Sequence, residues 1–154
     1  VIGMTHENGA LDVAKLETLI NHAEGMGVTL HRAFDVTPDT SEALEQAIEL
    51  GIERILTSGQ KETALEGAIK IKSVIDQAAG RISIMPCSKI NPPNVESLLK
   101  IFSVSEIHSS CRTLVGSPYD KNAPSMAPGD DFSRHITDPV KVKALADYLR
   151  VIAG

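Results

Sequence analysis

Two rhythms of apolar residues alternate along the chain. One spaces them three and four residues apart, as on a helix; the other gathers them into short runs, as in a buried strand. Val1–Met4 reads as a short strand and Asn8-Gly9 as a turn. Asp12 is placed to cap a helix whose inner side is Val13, Leu16, Ile20 and Ala23, and Gly25 and Gly27 close it. Val28–Asp35 then reads as the strand around which the rest is organised. Val28 and Leu30 share one face, Thr29, His31 and Ala33 the other, and its end turns ionisable at His31, Arg32 and Asp35. Asp39 and Glu42 stand in a capping-box relation before Leu44, Ala47 and Ile48, and Gly51 stops that helix ahead of a strand at Arg54–Thr57.

The succession then returns. Thr63 and Glu66 form a capping box, Ala68, Ile71 and Ile75 a buried stripe, and Gly80 a stop before a strand at Ile82–Met85 that runs into Pro86-Cys87-Ser88-Lys89. Asn91 and Pro92 start a helix with Val95, Leu98, Leu99 and Phe102 facing inward. A strand at Glu106–His108 leads into Ser109-Ser110-Cys111-Arg112. Thr113–His135 shows no element of its own, and loops of that length are lids or ordered crossovers. Asp138 and Pro139 open a last helix carrying Val142, Leu145, Leu149 and Ile152.

A helix, a glycine stop, a strand and a polar strand end thus recur at roughly the interval of a βα unit. Strands separated by helices pair in parallel through right-handed crossovers, which leaves an open doubly wound sheet or a (βα)8 barrel. If Val28, Leu30, Ile82, Ile84 and Ile107 meet the helices, the opposite face collects Thr29, His31, Thr57, Ser83, Met85, Glu106 and His108. An open sheet wants apolar residues on both faces, so a polar second face favours a barrel interior. The expectation is a single α/β domain over residues 1–154, part of a (βα)8 TIM barrel. Val1 is not a methionine and lies within a strand-like stretch, so further βα units before it are expected. A homo-oligomer of two copies paired edge to edge is the alternative.

Composition narrows the function classes. A net charge of −5 and 3% aromatic residues give neither the basic field nor the stacking surface that nucleic acid needs. No apolar run approaches the ~20 residues of a membrane span. Two cysteines fit reduced thiols in a cytoplasmic protein.

His31-Arg32-Ala33-Phe34-Asp35, Leu56-Thr57-Ser58-Gly59-Gln60 and Ala64-Leu65-Glu66-Gly67 together resemble the CutC family. The resemblance continues through Ile84-Met85-Pro86, Glu106-Ile107-His108-Ser109-Ser110 and the Ser133-to-Asp138 segment. It implies a TIM barrel, of which this chain matches about strands four to eight, and a part in copper homeostasis. Cys87-Ser88-Lys89 stands where that family usually has glycine-rich sequence.

Ligands of parallel α/β proteins bind at the carboxyl ends of strands, so the candidates lie there. His31, Arg32, Asp35 and His108 are candidate catalytic groups; the plain alternative is a structural ion pair with hydrogen-bonded histidines. Arg32, Thr57, Ser58, Gly59, Lys89, Ser109 and Ser110 are candidate ligand-binding residues for a small phosphate- or carboxylate-bearing anion. Cys87 and Cys111 each follow a strand and are soft donors of the kind Cu(I) prefers, the alternative being two inert buried thiols. Two functions are therefore carried forward: copper homeostasis with Cu(I) as the bound ion, and an enzyme acting on a small anionic substrate.

Overall fold

A computed structural model describes residues 1–116 and 133–153. The chain falls into two compact units, Val1–Ser109 and Ser110–Gly154. In the first, the Asp12 carboxylate accepts the Lys15 amide at 3.1 Å and caps α1 (Val13–Asn21). β1 (Thr29–Leu30) follows, then a 3-10 turn, Arg32–Val36. Asp39 caps α2 (Thr40–Glu49) at the Ser41 and Glu42 amides. β2 (Arg54–Thr57), α3 (Ala68–Ala78), β3 (Ser83–Pro86) and α4 (Pro92–Leu99) complete the alternation. Thr63 and Glu66 exchange hydrogen bonds in the expected capping box, one turn ahead of α3.

β1, β2 and β3 form a parallel sheet in chain order. Ile2 extends it by a parallel bridge to Leu30, and on the other side the His108 amide donates to the Pro86 carbonyl at 2.9 Å. Each segment is laid beside its predecessor with a helix between, an α/β arrangement that the described residues do not close into a barrel. Register places Leu30, Ile55 and Ile84 in one row, buried together with Leu16, Leu44, Ile71 and Val95. Burying each such side chain contributes about 1.5–3 kcal/mol. The neighbouring row is Thr29, Arg54 and Ser83 on the opposite face. There the Arg54 guanidinium donates to the Thr29 hydroxyl at 3.2 Å and grips the Glu106 carboxylate through Nε and Nη2. The sheet thus has an apolar side and a polar side.

Four local expectations are corrected. The strand expected over Val28–Asp35 stops at Leu30, because His31 Nδ1 accepts the Ala33 amide at 3.0 Å and turns the chain into the 3-10 segment. Thr57 lies two residues beyond Ile55 on the same strand, so it shares the apolar face rather than the polar one. Glu106–His108 forms no strand; within its unit β3 is its neighbour, the bond to Pro86 is its ladder contact, and Glu106 is turned to Arg54. The ends of the expected loop Thr113–His135 instead lie in strands, and its middle, 117–132, lies outside the described residues. β4 (Arg112–Val115) pairs antiparallel with β5 (Arg134–Thr137), with Thr113 opposite Ile136.

In the second unit that hairpin precedes α5 (Pro139–Ala153). Asp138 joins the two: its carboxylate accepts the Val140 amide and the Thr113 hydroxyl, each at 2.9 Å. These bonds hold its carboxyl below the usual carboxylate range, the Thr113 hydroxyl foremost.

Candidate functional site

The turns that follow β1, β2 and β3 meet around Asp35. Its side chain is 4% exposed, and its oxygens accept from the Thr57 hydroxyl at 2.5 Å, Arg32 Nε at 2.7 Å, the Ser58 amide at 3.0 Å and the Gln60 amide at 3.2 Å. The amide between them, Gly59, donates to Thr57 Oγ1 at 2.9 Å. All three successive amides after β2 are therefore engaged from within the chain, two of them by a carboxylate. Burial by itself would raise the Asp35 pKa. The hydrogen bonds from Thr57, Arg32, Ser58 and Gln60 outweigh burial and hold the carboxyl below its ordinary value.

Glycine makes this loop possible. Gly59 has φ +69°, and a Cβ there would stand 2.4 Å from the Gly67 carbonyl oxygen; a Cβ on Gly67 would stand 1.9 Å from that of Ser58. The two backbones touch, which brings the start of α3 against the end of β2.

Arg32 is 46% exposed along its side chain. Beyond Asp35, its Nη2 donates to Ser58 Oγ at 2.7 Å and to the Lys61 carbonyl at 3.2 Å. Its Nη1 has no partner among the described residues. His31 is half-buried; with Nδ1 accepting from Ala33, the neutral ring carries its proton on Nε2. Its imidazole lies over Gly3, where a Cβ would be 2.1 Å from Cε1.

After β3 the chain makes two left-handed residues in succession, Ser88 (φ +78°) and Lys89 (φ +56°). Such backbone costs of order 1–3 kcal/mol per non-glycine residue and persists where surroundings impose it. Here the Ser88 carbonyl accepts the Ala64 amide at 3.1 Å, and the Lys89 carbonyl accepts the Asn91 and Asn94 side-chain amides. The Lys89 ammonium pairs with the Glu62 carboxylate, which it holds below the ordinary glutamate range.

Cys87 precedes this turn and is 2% exposed. Burial pushes its thiol pKa up; the Ser88 hydroxyl and Arg32 act the other way, and Asp35 adds to the rise. His108 is exposed, and Ser109 Oγ donates to the Ile90 carbonyl at 2.6 Å. Ser110 and Cys111 belong to the second unit, where Cys111 is buried with φ +43° and its carbonyl accepts the Asp138 amide. Neither cysteine is in a disulfide. Among the described residues no three His, Cys, Asp or Glu side chains are grouped to hold a metal ion.

The sequence-predicted residues His31, Arg32, Asp35, Ser58, Gly59, Cys87 and Lys89 thus lie in three turns at one end of the sheet, with Thr57 at the end of β2. Sequence reasoning missed Gln60, Lys61 and Glu62, which complete the loop after β2, and Arg54, which carries the ion pair with Glu106. The visible signal for Glu62 was an acidic residue and a basic one, Lys89, in the turns after adjacent strands.

Parallel strands in chain order, helices on one face and polar turns at the carboxyl ends define an α/β protein with its candidate site at one rim of the sheet. The model of the CutC family matches residues 1–113, and the chain belongs to that family. The CutC family protein of Histophilus somni (strain 2336) is 45% identical over 149 residues, covering 94% of this chain and 61% of that protein. Its counterpart in Agrobacterium fabrum (strain C58 / ATCC 33970) is 52% identical over 111 residues, 72% of this chain and 44% of the relative. This chain therefore spans less than two thirds of those relatives' length. A crystal structure of a CutC from Streptococcus agalactiae, to which a role in copper homeostasis is ascribed, superposes with a TM-score of 0.66 at 29% identity, over 70% of this chain and 53% of that one. No helix among the described residues is long and apolar enough to cross a membrane.

Proposed function

We propose that the chain forms part of a (βα)8 barrel domain serving copper homeostasis in the cytoplasm, and that the rim after β1, β2 and β3 binds a small phosphate- or carboxylate-bearing anion. The copper role follows the one ascribed to the S. agalactiae relative. The observation that carries the anion is Arg32, half-exposed at the rim with Nη1 unengaged among the described residues while Nε and Nη2 are fixed by Asp35, Ser58 and Lys61. A guanidinium pinned on two of its nitrogens presents the third with little ordering cost. Lys89 supplies a second positive charge, while Thr57, Ser58 and Gly59 shape the loop and the Ser109 hydroxyl is spent on the Ile90 carbonyl. Asp35 positions Arg32 and the loop rather than moving a proton, since its lone pairs are taken and its carboxyl is held ionised. If the anion is turned over, the candidate proton donors are His31, through Nε2, and His108.

Titration with inorganic phosphate by calorimetry tests this. Arg32→Ala is expected to weaken binding by about 1.5–3 kcal/mol, the loss of one charge-assisted hydrogen bond. Lys89→Ala, which leaves the Asp35 network intact, is expected to weaken it as well. Unchanged affinity in both would overturn the reading.

Cu(I) binding by the thiols of Cys87 and Cys111, one in each unit, is the second reading, favoured by each being free of a disulfide and buried in a relative of a protein with an ascribed copper role. Because the Cys87 thiol is pushed up, copper must displace its proton, and apparent affinity is expected to rise with pH until the thiol's own pKa is passed. Competition against a Cu(I) chelator reads this. A Cys87→Ser, Cys111→Ser double variant that binds as well as the parent would end it.

A further inference from the structure

Resting on the anion reading above, we propose that Glu62 is a built-in competitor for that anion, a side chain that occupies Lys89 until a ligand displaces it. The turn carrying Lys89 is held in the left-handed region at Ser88 and Lys89 and fastened to the loop after β2 by the Ala64 amide. The loop it is fastened to is the one Arg32 grips through the Lys61 carbonyl, and the next residue, Glu62, pairs with the Lys89 ammonium. Arg32 and Lys89 therefore converge on two consecutive residues, one offering a carbonyl and the other a carboxylate. Both Lys89 and Glu62 are largely exposed, at 55% and 76% of their side chains, so the pair is weak and can be exchanged for another anion. Asp35 plays the corresponding part for Arg32 but is buried and multiply bonded, and is not displaced. One internal carboxylate fixes the site and the other guards it.

The test titrates the full chain, Glu62→Gln, Lys89→Met and the double variant with inorganic phosphate at low and at raised salt, with exposed Glu17→Gln on α1 as a control for net charge. Glu62→Gln is expected to tighten phosphate binding about two- to fivefold at low salt, the range of an exposed ion pair. That gain should shrink as salt screens it, vanish in the Lys89→Met background and be absent in Glu17→Gln. If the parent binds phosphate and Glu62→Gln binds no tighter, or its gain survives in Lys89→Met or equals that of Glu17→Gln, Glu62 is not the competitor and the anion site stands without it. If neither the parent nor Glu62→Gln binds phosphate, the anion site itself falls, and this proposal with it.

Discussion

A carboxylate that accepts hydrogen bonds from a guanidinium, a threonine hydroxyl and two backbone amides is worth more to the fold ionised than protonated. Asp35 is such a group. Its folded pKa lies below the unfolded value, so its contribution is fully present above the unfolded pKa and is lost as pH falls through the folded one. Asp35→Asn is expected to destabilise the chain by roughly 1.5–3 kcal/mol at neutral pH. Chemical denaturation of the pair at stepped pH should show the gap closing below the ordinary carboxylate range; a gap that widens there would contradict the assignment. At this scale the sequence was informative about place and less so about role. Three ionisable groups within five residues marked His31, Arg32 and Asp35, but that the carboxylate faces inward onto the next loop depends on contacts 22 to 25 residues away, which no local pattern encodes.

Elements were legible where a helix cap and an apolar stripe agreed. Asp12, Asp39 and Asn91 stand at the starts of α1, α2 and α4 as their spacing indicates, and β2 has the bounds expected. Strands that depend on a distant partner were not. β4 reads Arg-Thr-Leu-Val, too short to alternate convincingly, and its partner β5 lies some twenty residues on. Glu106–His108 has a strand's composition but one ladder bond. Two element-scale tests follow. Leu44→Ala, at a fully buried position of α2, is expected to cost about 2–5 kcal/mol by denaturant unfolding. Gly51→Ala meets no neighbour and should cost only the left-handed penalty of about 1–2 kcal/mol. Gly67→Ala drives a Cβ into the Ser58 carbonyl and should cost more. The reverse order would mean that the loop after β2 is not clamped on α3.

For the whole molecule, the polar row Thr29–Arg54–Ser83 with Glu106 is a face suited to a barrel interior, and the described residues leave it on an open sheet. Open parallel edges template association. Produced by itself, the 154-residue chain is therefore expected to self-associate, and a monomer by light scattering that melts cooperatively by calorimetry would count against the barrel. The α/β class was legible because strand and helix alternate so regularly; the β4–β5 pairing was not, because its two strands are brought together from either end of a long segment. The anion at the rim is the central claim, and locating it tests that claim most directly. Selenate is a phosphate-sized anion whose anomalous scattering marks its position in a soaked crystal. The account predicts a peak within hydrogen-bond distance of Arg32 Nη1 and the Lys89 ammonium, with Glu62 turned away; a peak that lies elsewhere while Arg32 and Lys89 keep their internal partners would contradict it.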